Sequence, residues 1–151
     1  MSILFYSRLE KPYGCFSNFS HHGIEMDGKW WPTVEHYFQA QKFAGTTYAE
    51  KIRNASSPKQ AADMGREHRY PLRHDWEQVK DNIMLQAVLR KFTTHEQLRD
   101  LLLSTGEEEL IENSPGDYYW GCGADGSGKN KLGQILMQAR AILRQANSAS
   151  A

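Results

Sequence analysis

Two groups of residues have types and spacings that can do chemistry. One is Gly123-Ala124-Asp125-Gly126-Ser127-Gly128-Lys129, a glycine, four residues, then Gly-Lys. That is the spacing of a loop that cradles nucleotide phosphates. The other is Glu35, Gln39 and Lys42, spaced by four and three, which a helix would place on one face. A carboxylate and an ammonium on one face can move a proton or hold charge of either sign.

The P-loop reading fails on its neighbours. Asn130 follows Lys129, where a hydroxyl is needed to meet Mg²⁺. The loop leaves "DYYWG" rather than a buried aliphatic strand. Ligand contact remains chemically reasonable. Glycines let backbone N–H groups converge, Lys129 can meet a phosphate or carbonyl, and Asn130 can donate and accept. The loop also feeds the N-terminus of a final helix, which suits an anion. The plain alternative is a turn whose Asn130 caps that helix.

Phe19, Trp31, Tyr119 and Trp120 are candidate walls for a flat base, since stacking tolerates any base. The same rings can equally be core. Trp30 and Trp31 are adjacent, so on a strand one faces in and the other out. Asn18, inside "FSNF", either reads a base edge or sugar hydroxyl or closes an Asx turn. His36 points about 100° away from Glu35 on a helix and reads as structural. Glu112, just before the glycine-rich segment, is a further candidate to line a cleft.

These residues need elements to position them. "ILFYS", residues 3–7, reads as a short strand, and "KPYGCFSNFS", residues 11–20, as a packed loop. Asp27-Gly28 predicts a tight hairpin over 24–31. Thr33 predicts a cap for a helix over 34–43, with Glu35 in its first turn. A short helix follows over 47–55. Ser57-Pro58-Lys59-Gln60 predicts the start of another, ending at Gly65. The longest amphipathic helix is expected over 73–92, with Trp76, Val79, Ile83, Ala87 and Leu89 or Arg90 in its stripe. A helix over 95–106 and a strand over 108–113 come next. A last helix from Leu132 should turn Leu132, Ile135, Leu136, Ala139, Ile142 and Leu143 inward. The fold class is therefore α+β, a helix-rich single domain with a few short strands.

Composition agrees. A chain of 151 residues suits one domain, and 40% hydrophobic with 24% charged residues is ordinary for a globular protein. Eighteen basic and eighteen acidic residues cancel, so no general affinity for nucleic acid or membrane is indicated. Two cysteines, Cys15 and Cys122, form no ligand series or disulfide framework, which suits a cytoplasmic setting. No secretory leader or membrane span is read. The domain is expected over 1–146 and a disordered tail over 147–151.

Several blocks in one order now matter together. They are "FYS" at 5–7, "FSNF" at 16–19, "WPTVEHYFQAQKF" at 31–43, "SSPKQAADMGR" at 56–66, "LRHDWEQVKDNIM" at 72–84, "AVLRKF" at 87–92 and "YWGCGADGSGKNKLGQILM" at 119–137. In these blocks the sequence resembles the YbiA-like N-glycosidase family, also called the NADAR superfamily. The resemblance implies a YbiA-like fold and hydrolysis of a C–N bond between ribose and a base or amine. It implies no metal or organic cofactor. One branch acts on the first two intermediates of riboflavin biosynthesis, which are phosphoribosylated and reactive. Others remove ADP-ribose from guanine in nucleic acid or are linked to NAD and ADP-ribose metabolism.

Breaking a ribose C–N bond builds positive charge on the sugar, which a carboxylate can stabilise while it takes a proton from water. The resemblance centres on Glu35 for that role. Lys42 is expected to assist proton transfer or bind a 5′-phosphate. The substrate pocket is expected to gather Asn18, Phe19, Trp31, Tyr119, Trp120, Gly121, Lys129 and Asn130. Riboflavin-linked members usually carry an acidic residue after "YWG", where this sequence has Cys122. Asp125, three residues on, is the expected substitute. The leading expectation is release of ribose 5-phosphate from a small phosphoribosyl substrate. The alternatives are an ADP-ribosyl hydrolase, which alone would require nucleic acid as partner, and an idle nucleotide or ADP-ribose sensor.

Overall fold

The computed structural model describes residues 1–150. Strand β1 (Ser2–Phe5) leads through a 3-10 turn at Tyr13–Phe16 to the hairpin β2 (Ile24–Met26) and β3 (Lys29–Trp31). Three short helices follow: α1 (Val34–Gln41), α2 (Thr47–Arg53) and α3 (Pro58–Gly65). Two longer ones come next, α4 (Trp76–Thr94) and α5 (Glu96–Ser104). Strand β4 (Glu109–Glu112) precedes the last helix, α6 (Lys131–Ser150). This is the helix-rich α+β arrangement with short strands. Among the described residues, no helix is long and apolar enough to cross a membrane.

Local chemistry explains most boundaries. Asp27 and Gly28 have φ of 56° and 75°, the left-handed pair that a two-residue hairpin needs. Trp31 turns inward at 4% exposure while Trp30 stays 55% exposed. Thr33 accepts the His36 N–H at 3.1 Å and starts α1. Ser57 accepts the Gln60 N–H at 3.0 Å and starts α3. Gln60 reaches back to the N–H of Ser56 at 2.6 Å. α4 begins at Trp76 rather than at residue 73, because the Arg73 N–H donates to the Lys42 carbonyl at 2.9 Å. The Arg73 guanidinium then clasps Asp75 at 2.6 and 3.1 Å, which holds this turn outside the helix.

The pairing of strands was not readable from the sequence. β1 and β4 run parallel, in register from Ser2 opposite Glu109 to Phe5 opposite Glu112. Both therefore point their C-terminal ends the same way. The core lies between this pair and helices α1, α4 and α6, with Phe16 packed edge-on against Phe5 and Phe92 at 5.8 Å each. Trp76 is buried in it, as its place in the α4 stripe predicts. Farther along α4, Met84, Val88 and Lys91 are more deeply buried than Val79, Ile83 and Leu89. On α6, Ile142 is 40% exposed rather than inward. α6 continues through Ser150, so it includes residues 147–150 of the expected tail; Ala151 lies outside the described residues.

Three buried basic side chains hold elements together. The Lys91 ammonium donates to the Ser17 carbonyl at 3.0 Å and is pushed down to about 7 by burial. Arg140 on α6 donates to Thr105 Oγ1 and the Glu108 carbonyl, both at 2.8 Å. His36 joins Thr33 Oγ1 at 2.8 Å and the Ala55 carbonyl at 3.0 Å, and burial lowers its pKa. It therefore sits neutral as a tie between α1 and the end of α2, the structural role its position suggests.

Candidate active site

A cleft of about 700 Å³ opens where β1 and β4 end. Crevices beyond the C-terminal ends of parallel strands are favoured ligand sites. The segment after β1 contributes Tyr6 to Leu9, and the segment after β4 contributes Ser114, Gly116 and Asp117. α1 supplies Glu35, Phe38 and Gln39. α3 and its end supply Lys59, Ala62 and Arg66.

Glu35 sits at the floor, 9% exposed. Its N–H donates to the Asn18 carbonyl at 3.2 Å, and its Oε2 accepts from Gln39 Nε2 at 2.7 Å. Burial pushes its carboxyl above the ordinary value, and Asp117 adds to that. The Gln39 bond and the charges of Lys42 and Arg66 pull it back. Gly65 makes room for Gln39, because any Cβ there would overlap the amide.

Glu112 closes β4. Its N–H donates to Asn130 Oδ1 at 2.9 Å, and its carbonyl accepts from the Cys122 N–H at 2.9 Å. Its Oε2 is buried without a hydrogen-bond partner. Burial, then Asp117 and Glu35, push this carboxyl up to about 8. Asp117 Oδ1 accepts from the N–H groups of Tyr119 and Trp120 at 3.0 and 2.8 Å, which fixes Trp120 against the cleft. Trp120 meets Phe38 edge-on at 5.2 Å, and Phe38 leans on Trp76 at 5.0 Å. Asp63 gathers the rim cations: Lys59 lies 3.0 Å and Arg66 2.7 Å from its carboxylate.

Of the residues singled out in the sequence, the cleft brings together Glu35, Asn18, Phe19 and Trp120. Glu112 joins them. Seven others stand elsewhere. Lys42 lines a separate cavity with Trp76, and its ammonium donates to the Gly65 carbonyl at 3.3 Å. It reaches Glu35 through charge alone. Trp31 lies under the hairpin, donating to the Met26 carbonyl at 3.0 Å and packed on Tyr37. Tyr119 turns outward between Lys80 and Lys129, 4.0 and 5.5 Å from its ring, and donates to Asp81 at 2.5 Å. Asp125 is exposed and accepts from Ser127 N–H and Oγ at 3.0 and 2.7 Å.

The glycine-rich loop folds back on the segment before it. Gly128, Lys129, Asn130, Lys131 and Leu132 donate their N–H groups to the carbonyls of residues 118–122 at 2.7–3.0 Å. Those amides are already used, so they do not form an open anion cradle. Gly121 is part of this fold-back, with a Cβ there blocked by Ser114 and the Glu112 carbonyl. Asn130 has φ of 53°, and both arms of its amide grip β4: Oδ1 takes the Glu112 N–H and Nδ2 gives to the Leu110 carbonyl at 2.9 Å each. It starts α6 with its backbone carbonyl and acts as a strand partner with its side chain. Asn130→Ala is expected to lower unfolding free energy by about 2–4 kcal/mol, since it strands two backbone groups. Urea denaturation checks this; a loss below about 0.5 kcal/mol would remove the bracing role.

Sequence reasoning missed Arg8, Phe38, Lys59, Arg66 and Asp117. Asp117 directly follows Pro115-Gly116, and Arg8, Lys59 and Arg66 share no spacing that marks a site. The findable signal was the pair of parallel strands, whose ends bring residues 6–9 and 112–117 to one place.

The NADAR domain family model matches residues 4–144. An N-glycosidase of Nostoc punctiforme is 52% identical over 147 residues, which span 95% of this chain and 94% of that protein. The NMR structure of the Escherichia coli protein YbiA superposes with a TM-score of 0.89 at 49% identity, covering 97% of this chain and 89% of that one. A chloroplastic riboflavin biosynthesis protein of Zea mays, PYRR, is 43% identical over 154 residues. That match spans 92% of this chain but 25% of the maize protein.

Proposed function

The chain belongs to the NADAR family and is an N-glycosidase, and from that premise we propose which bond it cleaves and with which residues. The substrate is a phosphoribosylated, amine-bearing intermediate of riboflavin biosynthesis. The reaction hydrolyses the bond between C1′ and nitrogen and releases ribose 5-phosphate. The observation that carries this reading is one cleft holding a buried Glu35, an aromatic wall and a cationic rim. The maize relative, whose name places it in riboflavin biosynthesis, supports the choice of pathway.

The base lies against Phe19, Phe38 and Trp120, and the phosphate is held by Arg8, Lys59 and Arg66 at the rim. Asn18 meets a ribose hydroxyl or base edge. This directs C1′ toward Glu35. As the bond to nitrogen lengthens, positive charge grows on the ribose ring, and the Glu35 carboxylate stabilises it. A carboxylate raised by burial is also the stronger proton acceptor for the attacking water. Its charge is poorly compensated in the empty cleft and well compensated beside a cationic sugar, so it favours the transition state over the ground state.

The release assay tests the reading. Purified protein is offered the two riboflavin intermediates and an ADP-ribosylated guanine oligonucleotide. Ribose 5-phosphate from the former supports the proposal; ADP-ribose from the latter alone would replace it with the nucleic-acid alternative. Arg66→Ala is expected to raise KM for the phosphorylated substrate roughly 10–100-fold with kcat little changed, the loss of one charged hydrogen bond. The dephosphorylated analogue should show no such change; an equal effect on both would remove Arg66 from phosphate binding.

Cys122 bears on the idle-sensor alternative. Its Sγ turns to Asn113 Oδ1 and the Gly123 carbonyl, both at 3.5 Å, and does not line the cleft. A carboxylate missing there is not missing from the cleft. Cys122→Asp is therefore expected to change kcat/KM by less than about threefold, as for a substitution outside the site. A gain of tenfold or more would return that position to catalysis.

A further inference from the structure

The cleft holds a second, part-buried carboxyl for which no structural task is visible. Glu112 forms no ion pair among the described residues, caps no helix, and leaves Oε2 buried without a partner. Its backbone is held on three sides. Asn130 takes its N–H, Cys122 gives to its carbonyl, and β1 lies beside it with Phe5 in register. Burying an ionised carboxylate with no donor is costly, and a protonated one avoids that cost.

The surrounding charges point the same way. Glu35 faces Glu112 from α1, and Asp117 faces it from the loop after β4. From β1 comes only the apolar Phe5, and from the start of α6 the neutral Asn130. The Cys122 thiol is turned to Asn113. Arg8, Lys59 and Arg66 stand at the rim of the cleft. Two carboxyls of one cleft thus have different environments. Burial raises both carboxyls, but Glu35 accepts the Gln39 N–H and feels Lys42 and Arg66, which pull it back toward its charged form. Glu112 has no such donor and holds its proton up to about pH 8. Environments that push a carboxyl pair apart divide acid from base.

We infer that Glu112 is the general acid that protonates the leaving nitrogen, while Glu35 serves the sugar and the water. The inference rests on the ribosyl C–N reading above. In the step, the electron pair of the C1′–N bond goes to nitrogen, which takes the proton of Glu112. Water adds its oxygen to C1′ and yields a proton to Glu35. Exchange with solvent returns a proton to Glu112 and removes one from Glu35. The sum is one water consumed, with one ribose hydroxyl and one N–H formed.

A pair of substrates tests it. An N-linked phosphoribosyl amine needs a proton to leave; 4-nitrophenyl ribofuranoside 5-phosphate does not, because nitrophenolate leaves unaided. Glu112→Gln is expected to lower kcat on the amine by about 10²–10³-fold, the usual range for a general acid. On the nitrophenyl substrate the loss should stay under about tenfold. Wild-type kcat on the amine should fall above about pH 8, and this limb should be absent with the nitrophenyl substrate. Equal losses on both substrates, or none on either, would overturn the role as acid. A wild-type protein inert toward both would instead overturn the ribosyl reading, and this inference with it. Infrared difference spectra give an independent reading: a protonated-carboxyl band at pH 7 that vanishes in Glu112→Gln. Its absence in the wild type would also overturn the assignment.

Discussion

Glu35→Gln is expected to lower kcat for ribosyl C–N hydrolysis by about 10³-fold or more, the effect of removing a preorganised charge from a transition state. The fold should survive. Gln is isosteric with Glu, and its side-chain carbonyl can still accept the Gln39 N–H that Oε2 accepts now at 2.7 Å. The substitution also removes a carboxyl that burial disfavours, so the urea midpoint should hold or rise. KM should change little, because the proposed binding mode holds the phosphate at the rim and the base at the aromatic wall. Loss of kcat with intact KM marks an interaction made only in the transition state. Turnover within about tenfold of wild type would take Glu35 out of the chemistry.

The second large effect is on stability, and it follows from Glu112. Its carboxyl holds its proton to about pH 8 in the folded state, against an ordinary value of 4.5. The folded-state value is the raised one. Its contribution is therefore fully present below about pH 4.5 and is lost as pH rises through about 8. The difference corresponds to at most about 5 kcal/mol, and about 2–4 kcal/mol once the water-filled cleft is allowed for. Glu112→Gln removes this loss. It should stabilise the protein by that amount at pH 9 and by almost nothing at pH 4. Lys91 works in the opposite direction. Its ammonium is lowered to about 7 from 10.5, so its cost is full below pH 7 and fades as pH rises to 10.5. Urea midpoints across pH 5–10 isolate Glu112 by difference: the variant should lack the fall owed to Glu112 and keep the rise owed to Lys91. A variant that follows the wild-type curve would show that Glu112 ionises normally. Activity and stability then respond oppositely to one substitution, as expected of a group held in an unfavourable state for function.

The elements were legible because their signals are local. Thr33 and Ser57 cap helices by bonding three residues ahead, and Asp27-Gly28 makes its turn within two residues. Such chemistry can be read in a short window. The role given to Glu35 came from the resemblance, while spacing alone placed Gln39 one turn along the same face. The expected site residues that stand outside the cleft include side chains that span the fold. Asn130 is eighteen residues from Glu112 along the chain, yet bonds its N–H. Glycines and a lysine beside it suggested an anion cradle, but the same backbone could satisfy its own donors by folding onto residues 118–122. Lys42 shares the helical face of Glu35, but a long flexible stem carries its ammonium to the Gly65 carbonyl instead.

The rest of the cleft depended on the β1–β4 pairing, a contact more than a hundred residues apart with no turn to announce it. Only once those strands are side by side do Arg8 and Asp117 belong to one site. Trp31 and Trp120 show the limit for aromatic residues. Both are flanked by other rings in the sequence, but Trp31 finds its N–H partner in the hairpin and Trp120 is steered to the cleft by Asp117.

The most direct measurement is product analysis after purified wild-type protein acts on the phosphoribosylated aminopyrimidine. The account predicts free ribose 5-phosphate and the free amine in equal amounts, formed together, with the phosphate ester intact. Inorganic phosphate with the sugar still joined to nitrogen, or no release at all, would contradict it.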